Sequence, residues 1–142
     1  MAYMAQTIRE VMTANPTTLP RNASVFEAAR VMRDSDIGDV VVIDKGQMCG
    51  IFTDRDVVIR VLAAGRDPTT TKLADICTQA LTTVAPTDSL DQAVQCMRQQ
   101  AIRRLPVVEN GRVVGIVSLG DLARERDPLS ALSDISVASP NR

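Results

Sequence analysis

Two short motifs of the same kind carry the side chains best suited to binding a small molecule. Thr53 stands three residues before Asp56, and Ser118 stands three residues before Asp121. A carboxylate only accepts hydrogen bonds, and it can accept them from both hydroxyls of a cis-diol. If each hydroxyl residue begins a helix, the free amides and the helix dipole there favour an anion. The same spacing is close to a helix capping box, so these residues could instead only cap helices.

The composition gives little support to other kinds of site. The 142-residue chain has no histidine, which removes the commonest general base and metal ligand. Lys45 falls in a predicted turn and Lys72 in a linker, so the remaining candidates form no convergent set. We therefore predict no enzyme and no metal site. A net charge of -1 and only three aromatic residues also argue against nucleic-acid binding.

The hydropathy pattern predicts a cytoplasmic protein. The sequence has no run of about 18 apolar residues, which a membrane-spanning helix would need. The N-terminus shows no basic segment followed by an apolar stretch, so we expect no signal peptide.

The chain contains an internal repeat. Residues 8–60 match residues 73–125 without a gap at an offset of 65, and 13 of the 53 positions are identical. One copy is too short to bury its apolar face well, so the two copies should pack together. The cysteines align with apolar residues of the other copy, which predicts that they fill the core; the pairs are Cys49 with Val114, Cys77 with Met12, and Cys96 with Val31.

The two copies differ in charge near the motifs. Arg103 and Arg104 could neutralise phosphate, although an isolated pair of charges is more often solvated surface. The corresponding positions of the first copy hold Gly38 and Asp39, and Asp39 would repel phosphate. We therefore expect two unequal sites. The sequence does not assign the two arginines to either cleft.

Each copy predicts the same order of elements: helix, short strand, helix, strand, strand, helix. The central helix starts at a capping box, Ser24 to Glu27 or Ser89 to Gln92. The first long strand is continuously apolar in both copies, so both of its faces should be covered. Apart from the central helix, the expected ranges are 8–13, 18–19, 40–43, 48–53 and 54–64 in the first copy, and 73–78, 83–84, 105–108, 113–118 and 119–126 in the second.

This duplicated unit resembles a tandem pair of CBS domains, also called a Bateman module. The resemblance rests on the segments 50–56 and 115–121, which share the pattern Gly-apolar-x-Thr/Ser-x-x-Asp, and on the segment 102–108. It implies an α/β (α+β) fold of two β-α-β-β-α repeats packed by pseudo-two-fold symmetry. The expected division is repeat one at 8–65, a linker at 66–72, repeat two at 73–126 and a loosely ordered tail at 127–142.

The resemblance also implies a ligand and roles for named residues. The ligand would be AMP, ADP, ATP or S-adenosylmethionine, bound in clefts between the repeats. Asp56 and Asp121 would accept hydrogen bonds from ribose, and Thr53 and Ser118 would contact phosphate or ribose. Apolar side chains would sandwich the base, namely Leu19, Ile37, Val84 and Ile102.

The remaining expectations concern the oligomeric state and the function. The family generally forms flat dimers through its helices, so we expect a homodimer. The leading function is a nucleotide-sensing module, without catalysis, whose ligand shifts an arrangement that a regulated protein partner reads. The alternative is a protein-interaction scaffold that binds no ligand, in which the Thr/Ser-x-x-Asp residues only cap helices.

Overall fold

The computed structural model describes residues 7–78 and 82–126 as a mixed α+β protein with two three-stranded sheets. This confirms the expected fold class. The strands are β1 (Thr13–Ala14), β2 (Thr18–Pro20), β3 (Asp39–Asp44), β4 (Gln47–Thr53), β5 (Arg104–Glu109) and β6 (Arg112–Ser118). The helices are α1 (Val25–Ser35), α2 (Asp54–Asp56), α3 (Leu73–Ile76), α4 (Leu90–Gln100) and α5 (Leu119–Arg126).

The chain forms two compact units. The first unit comprises residues 16–78 and carries the sheet β2-β3-β4. The second unit comprises residues 7–15 and 82–126 and carries the sheet β1-β6-β5. The expected repeat boundaries stay a prediction, because these units are defined by packing and the repeat by sequence.

The long strands form hairpins in both units because each pair is joined by a tight turn. β3 pairs antiparallel with β4, and β5 pairs antiparallel with β6 in the same register. Lys45 and Asn110 occupy the same turn position, both with a φ of 53°. Val40, Val41 and Val42 of β3 are fully buried, which confirms that this apolar strand is covered on both faces.

Both long helices begin at the predicted serine, but the complete capping box forms only in α4, and α1 has the serine half of it. The Oγ of Ser24 accepts a hydrogen bond from the amide of Glu27, and the side chains of Ser89 and Gln92 cap each other's amides. Each helix buries an apolar face against its own unit, with Val25, Ala28 and Met32 in α1 and Leu90, Ala93 and Met97 in α4. Within the described residues, no helix has the length and apolar character needed to cross a membrane.

Two predicted helices differ from the structure. The predicted helix 8–13 is only a 3-10 turn, Ile8–Glu10, followed by the strand β1. The predicted helix 54–64 starts as the short α2 and continues in π-helical turns over Val57–Leu62. This stretch is rich in β-branched residues, which have a lower α-helix propensity than Ala, Leu or Met. The predicted tail 127–142 lies outside the described residues.

The segments that open the two repeats pack on the opposite copy. Ile8 opens repeat one in sequence, but it is fully buried in the core of the second unit. Leu73 and Ile76 open repeat two, but they lie in the core of the first unit. Backbone hydrogen bonds fix the exchange, since Ile8 N donates to Asp88 O at 3.0 Å and Leu73 N donates to Ala23 O at 2.9 Å.

Candidate functional site

Both Thr/Ser-x-x-Asp motifs lie where a sheet strand passes directly into a helix. In the first unit, Thr53 N donates to Asp56 Oδ2 at 2.9 Å, and Asp56 N donates to Thr53 Oγ1 at 3.2 Å. In the second unit, Ser118 N donates to Asp121 Oδ2 at 2.9 Å, and Asp121 N donates to Ser118 Oγ at 3.1 Å. Each pair is therefore a reciprocal helix cap, as the capping interpretation of these residues predicts.

The cap leaves the second carboxylate oxygen of each aspartate to an arginine one turn later. Asp56 Oδ1 lies 3.5 Å from Arg60 Nε, and Asp121 Oδ1 accepts from Arg124 Nη2 at 2.5 Å. Asp56 is 8% exposed and Asp121 is 9% exposed. A carboxylate has about four lone-pair positions, so each aspartate keeps about two for another donor.

The helix amides are less available to an anion than the sequence suggested. The amides of Thr53 and Ser118 are occupied by the caps, which corrects the expectation of free amides there. In the first unit the amide of Arg55 is also occupied, because it donates to Asp54 Oδ1 at 2.8 Å. The second unit has Leu119 in place of Asp54, and its side chain offers no acceptor. The helix start of the second unit is therefore the more favourable one for an anion.

The sheet register assigns the charged residues to the two motifs. Asp39 is the cross-strand partner of Thr53, and Arg104 is the cross-strand partner of Ser118. Arg103 is exposed beside Arg104, and its carbonyl accepts a hydrogen bond from Leu119 N at 2.8 Å. The structure thus places both arginines in the second unit, next to Ser118, and a carboxylate in the equivalent place of the first unit. The local charge near the two motifs is opposite in sign.

The four apolar residues expected to contact a base divide between the two units. Leu19 and Ile37 lie half-buried against the core of the first unit. Val84 is buried and Ile102 is half-buried in the second unit. Each unit therefore holds one hydroxyl residue, one aspartate and two apolar residues of the expected set, and the role of these residues toward a base stays a prediction.

Sequence reasoning missed two features of these units. Arg60 and Arg124 hold the motif carboxylates, and their spacing of four and three residues from the aspartate was a readable signal. Lys45 and Lys72 are far apart in the sequence, but they line one cavity of the first unit. No local pattern could have shown that proximity.

Within the described residues, the cysteines and the potential metal ligands form no further candidate site. Cys49, Cys77 and Cys96 are free thiols, each half-buried against a core. Burial raises the pKa of the Cys77 thiol, and the nearby Cys49 adds to the effect. Over residues 7–78 and 82–126, no three His, Cys, Asp or Glu side chains are grouped closely enough to hold a metal ion.

Comparison with known proteins identifies the family. Residues 8–63 and 73–127 each match the CBS domain. The CBS domain-containing protein YhcV of Bacillus subtilis is 38% identical over 133 residues, which cover 91% of this chain and 94% of the relative. Hypoxic response protein 1 of Mycobacterium tuberculosis is 35% identical over 119 residues, which cover 83% of each chain.

Solved structures agree with the sequence relatives. The crystal structure of Hypoxic Response Protein I, which has two coordinated zinc ions, superposes with a TM-score of 0.75 at 35% identity and covers 83% of this chain and 97% of that one. A hexameric CBS-CP12 protein from bloom-forming cyanobacteria gives a TM-score of 0.77 at 28% identity and covers 89% of this chain and 75% of that one. Two matched CBS domains, a relative of nearly the same length and solved structures with the same fold show that this chain belongs to the CBS-domain family.

Proposed function

We propose that this chain is a non-catalytic regulatory module that binds an adenosyl ligand, namely AMP, ADP, ATP or S-adenosylmethionine. CBS-domain proteins are generally regulatory or sensor modules. The observation that carries the nucleotide proposal is the duplicated aspartate at a strand-to-helix junction, held by its cap and with lone pairs left for a diol. A preorganised acceptor loses little entropy when a ribose binds.

The second unit is the better candidate for a phosphorylated ligand. Arg103 and Arg104 lie beside Ser118, and the helix start there carries no added carboxylate. In the first unit, Asp39 and Asp54 flank the same position and would repel a phosphate. We therefore expect AMP, ADP or ATP to occupy the second unit first, and an uncharged or cationic adenosyl compound to suit the first.

One observation favours the alternative of a ligand-free interaction scaffold. Both aspartates already cap a helix and contact an arginine, and both are almost buried. A purely structural role would explain those contacts completely. Oligomer formation fits either function, and we propose a homodimer that acts on a protein partner in the cytoplasm.

Thermal unfolding with each adenosyl compound separates the two functions. A ligand at about 100 times its Kd stabilises the folded state by roughly 2.7 kcal/mol, which raises the Tm by several degrees. Asp121→Asn should keep an acceptor for the cap but remove the charge and one acceptor oxygen, so the rise in Tm should be lost. Asp34→Asn changes an exposed carboxylate of α1 and should leave the rise intact.

The outcomes are distinct. A rise that disappears in Asp121→Asn and persists in Asp34→Asn supports nucleotide binding at the second unit. No rise with any of the compounds at millimolar concentration would favour the scaffold instead.

A further inference from the structure

The first unit contains a second cluster of charged residues at the end of its sheet opposite to Thr53. A cavity of about 460 Å³ lies where β2 ends, where β3 turns into β4 and where α3 begins. Its lining residues are Pro20, Arg21, Asn22, Ile43, Asp44, Lys45, Lys72, Ala74 and Asp75. Thr53 pairs with Asp39, the first residue of β3, whereas Asp44, the last residue of β3, lines the cavity. Roughly 16 Å of strand therefore separate Thr53 from the cavity.

The cavity concentrates positive charge. Lys45 and Lys72 are the only lysines of the chain, and both line it together with Arg21. Asp44 and Asp75 are the two carboxylates of the lining, so the cavity carries a formal charge of +1. Its volume falls within the range of about 300 to 1,000 Å³ that is typical of small-molecule sites.

The cations are only weakly engaged, so an anion can recruit them. Arg21 Nη1 lies 3.5 Å from Asp44 Oδ2, and both side chains are well exposed. Lys72 Nζ donates to the carbonyl of Asn22 at 3.3 Å and keeps two of its three donors. Lys45 forms no ion pair with any residue in the described ranges.

The second unit shows that the fold does not require these cations. At the offset of 65 residues, Arg21, Lys45 and Lys72 correspond to Pro86, Asn110 and Thr7. The backbone equivalence holds at the outermost position, because Lys72 bridges to Ser24 just as Thr7 bridges to Ser89.

The corresponding surface of the second unit has a different charge. Among the residues that correspond to the cavity lining, the only cation is Arg9, which is paired with Glu109 at 2.6 Å. Glu10 adds a second carboxylate. The formal charge of this surface is therefore -1 on the same backbone. A difference of two charges between two copies of one fold points to a role of the first unit alone.

We propose that this cavity binds an organic phosphate that carries hydroxyl groups, with Arg21, Lys45 and Lys72 around the phosphate and Asp44 and Asp75 accepting from the hydroxyls. Guanidinium and ammonium groups form charge-assisted hydrogen bonds to phosphate. The carboxylates select for a ligand that also brings donors, which bare phosphate at neutral pH supplies poorly. This site is independent of the proposed adenosyl site, because it shares no residue with either Thr/Ser-x-x-Asp motif.

The second copy supplies the substitutions for a test. Lys45→Asn should be tolerated because Asn110 holds the same turn at the same φ of 53°, where asparagine is favoured over lysine. Lys72→Thr should also be tolerated, because Lys72 is the N-cap of α3 without a side-chain cap and threonine caps better. The double variant removes two cations while its Tm should stay equal or rise.

The experiment is a titration with ribose 5-phosphate at constant ionic strength, followed by ¹H–¹⁵N NMR on the full chain. We expect the amides of Asn22, Lys45 and Ala74 to shift together in the native chain. The Lys45→Asn, Lys72→Thr variant should bind at least about tenfold more weakly. A control variant, Arg33→Gln with Arg98→Gln, removes two exposed charges from α1 and α4 and should bind like the native chain.

Several results would overturn the proposal. These are the absence of shifts at the cavity amides at millimolar ligand, shifts that survive in the lysine variant, and equal shifts with free ribose. Shifts confined to the amides of Ser118 and Gly120 would assign the binding to the proposed adenosyl site and would also overturn this one. Inorganic phosphate should bind more weakly than ribose 5-phosphate, and equal binding would contradict the role of Asp44 and Asp75.

Discussion

The proposed role of Asp56 and Asp121 as ribose acceptors is compatible with their role as helix caps. A Thr/Ser-x-x-Asp motif that caps a helix needs one carboxylate oxygen, and a ribose diol needs another. The cap holds one carboxylate oxygen, and the arginine one turn later contacts the other. Capping and binding are therefore compatible, and the sequence alone could not separate them because the same residue types serve both.

The thiol of Cys77 should react slowly in the folded chain. Burial raises the pKa of its thiol because the thiolate is poorly solvated there, and the neighbouring Cys49 adds to the rise. Since the thiolate is the reactive form, iodoacetamide should modify Cys77 more slowly in the folded chain than in the same chain in urea. Mass spectrometry of the digested protein, with time points at about pH 8, measures both rates.

The same shift has a consequence for stability. A thiol pKa that is higher in the folded chain favours folding at pH values below the unfolded pKa, and this contribution is lost as the pH rises through the folded value. The free energy of unfolding should therefore fall in alkaline solution, and Cys77→Ala should reduce that fall. Equal alkylation rates for Cys77 in folded and unfolded chains would contradict its half-buried position and its raised pKa.

At the scale of elements, the packing around Gly50 and Gly115 explains why the shared motif has a glycine at this position. A third segment crosses each hairpin at this point, Thr78 beside Ile51 and β1 beside β6. A Cβ at Gly50 would lie 2.3 Å from the carbonyl oxygen of Thr78, which is backbone and cannot move away easily. A Cβ at Gly115 would lie 2.5 Å from Met12 Sδ, which belongs to a flexible side chain, and its distance to the nearest backbone atom, Thr13 O, would be 3.0 Å.

This difference predicts unequal costs for one substitution in two copies. Gly50→Ala should lower the free energy of unfolding by about 1–3 kcal/mol, as overpacking usually does, and Gly115→Ala should cost less. Urea denaturation of the two variants and the native chain measures both values. If Gly115→Ala were the more damaging change, Met12 would have to be held more firmly than the Thr78 backbone.

The elements also show which parts of the fold the sequence could predict. α1 and α4 were predictable because their capping boxes and apolar spacing are local signals. The buried strands were predictable from the run Val40 to Val42 and its counterpart. The end of the predicted 8–13 helix was not, because the amides of Ile8 and Arg9 donate to the carbonyls of Asp88 and Pro86, about 80 residues away.

The same limit applies to the candidate sites. The two motifs were recognisable because each spans only four residues and occurs twice. The cavity with Lys45 and Lys72 needed the fold, because a hairpin turn and the start of α3 form it together. The local sequence therefore revealed the two Thr/Ser-x-x-Asp motifs but not the cationic cavity.

At the scale of the whole molecule, the chain exchanges its opening segments between the two repeats. Residues 7–15 pack with residues 82–126, and residues 72–78 pack with the rest of the first unit. The linker takes part in this packing, since the carbonyls of Pro68 and Thr71 accept from the first amides of α1, Phe26 and Val25, at 3.0 Å. A repeat cut out by sequence would therefore lose part of its own core and keep a segment that belongs to the other unit.

Two matched truncations of core side chains test this exchange. Ile8 and Leu73 correspond in the repeat, and both are fully buried. Ile8→Ala and Leu73→Ala should each cost about 2–5 kcal/mol, because each leaves a cavity in a packed core. Amide hydrogen exchange should then accelerate in residues 82–126 for Ile8→Ala and in residues 16–78 for Leu73→Ala. The reverse pattern, with each substitution loosening the repeat to which it belongs in sequence, would show that each repeat keeps its own opening segment in solution and that the repeat boundaries, not the packing units, define how the chain folds.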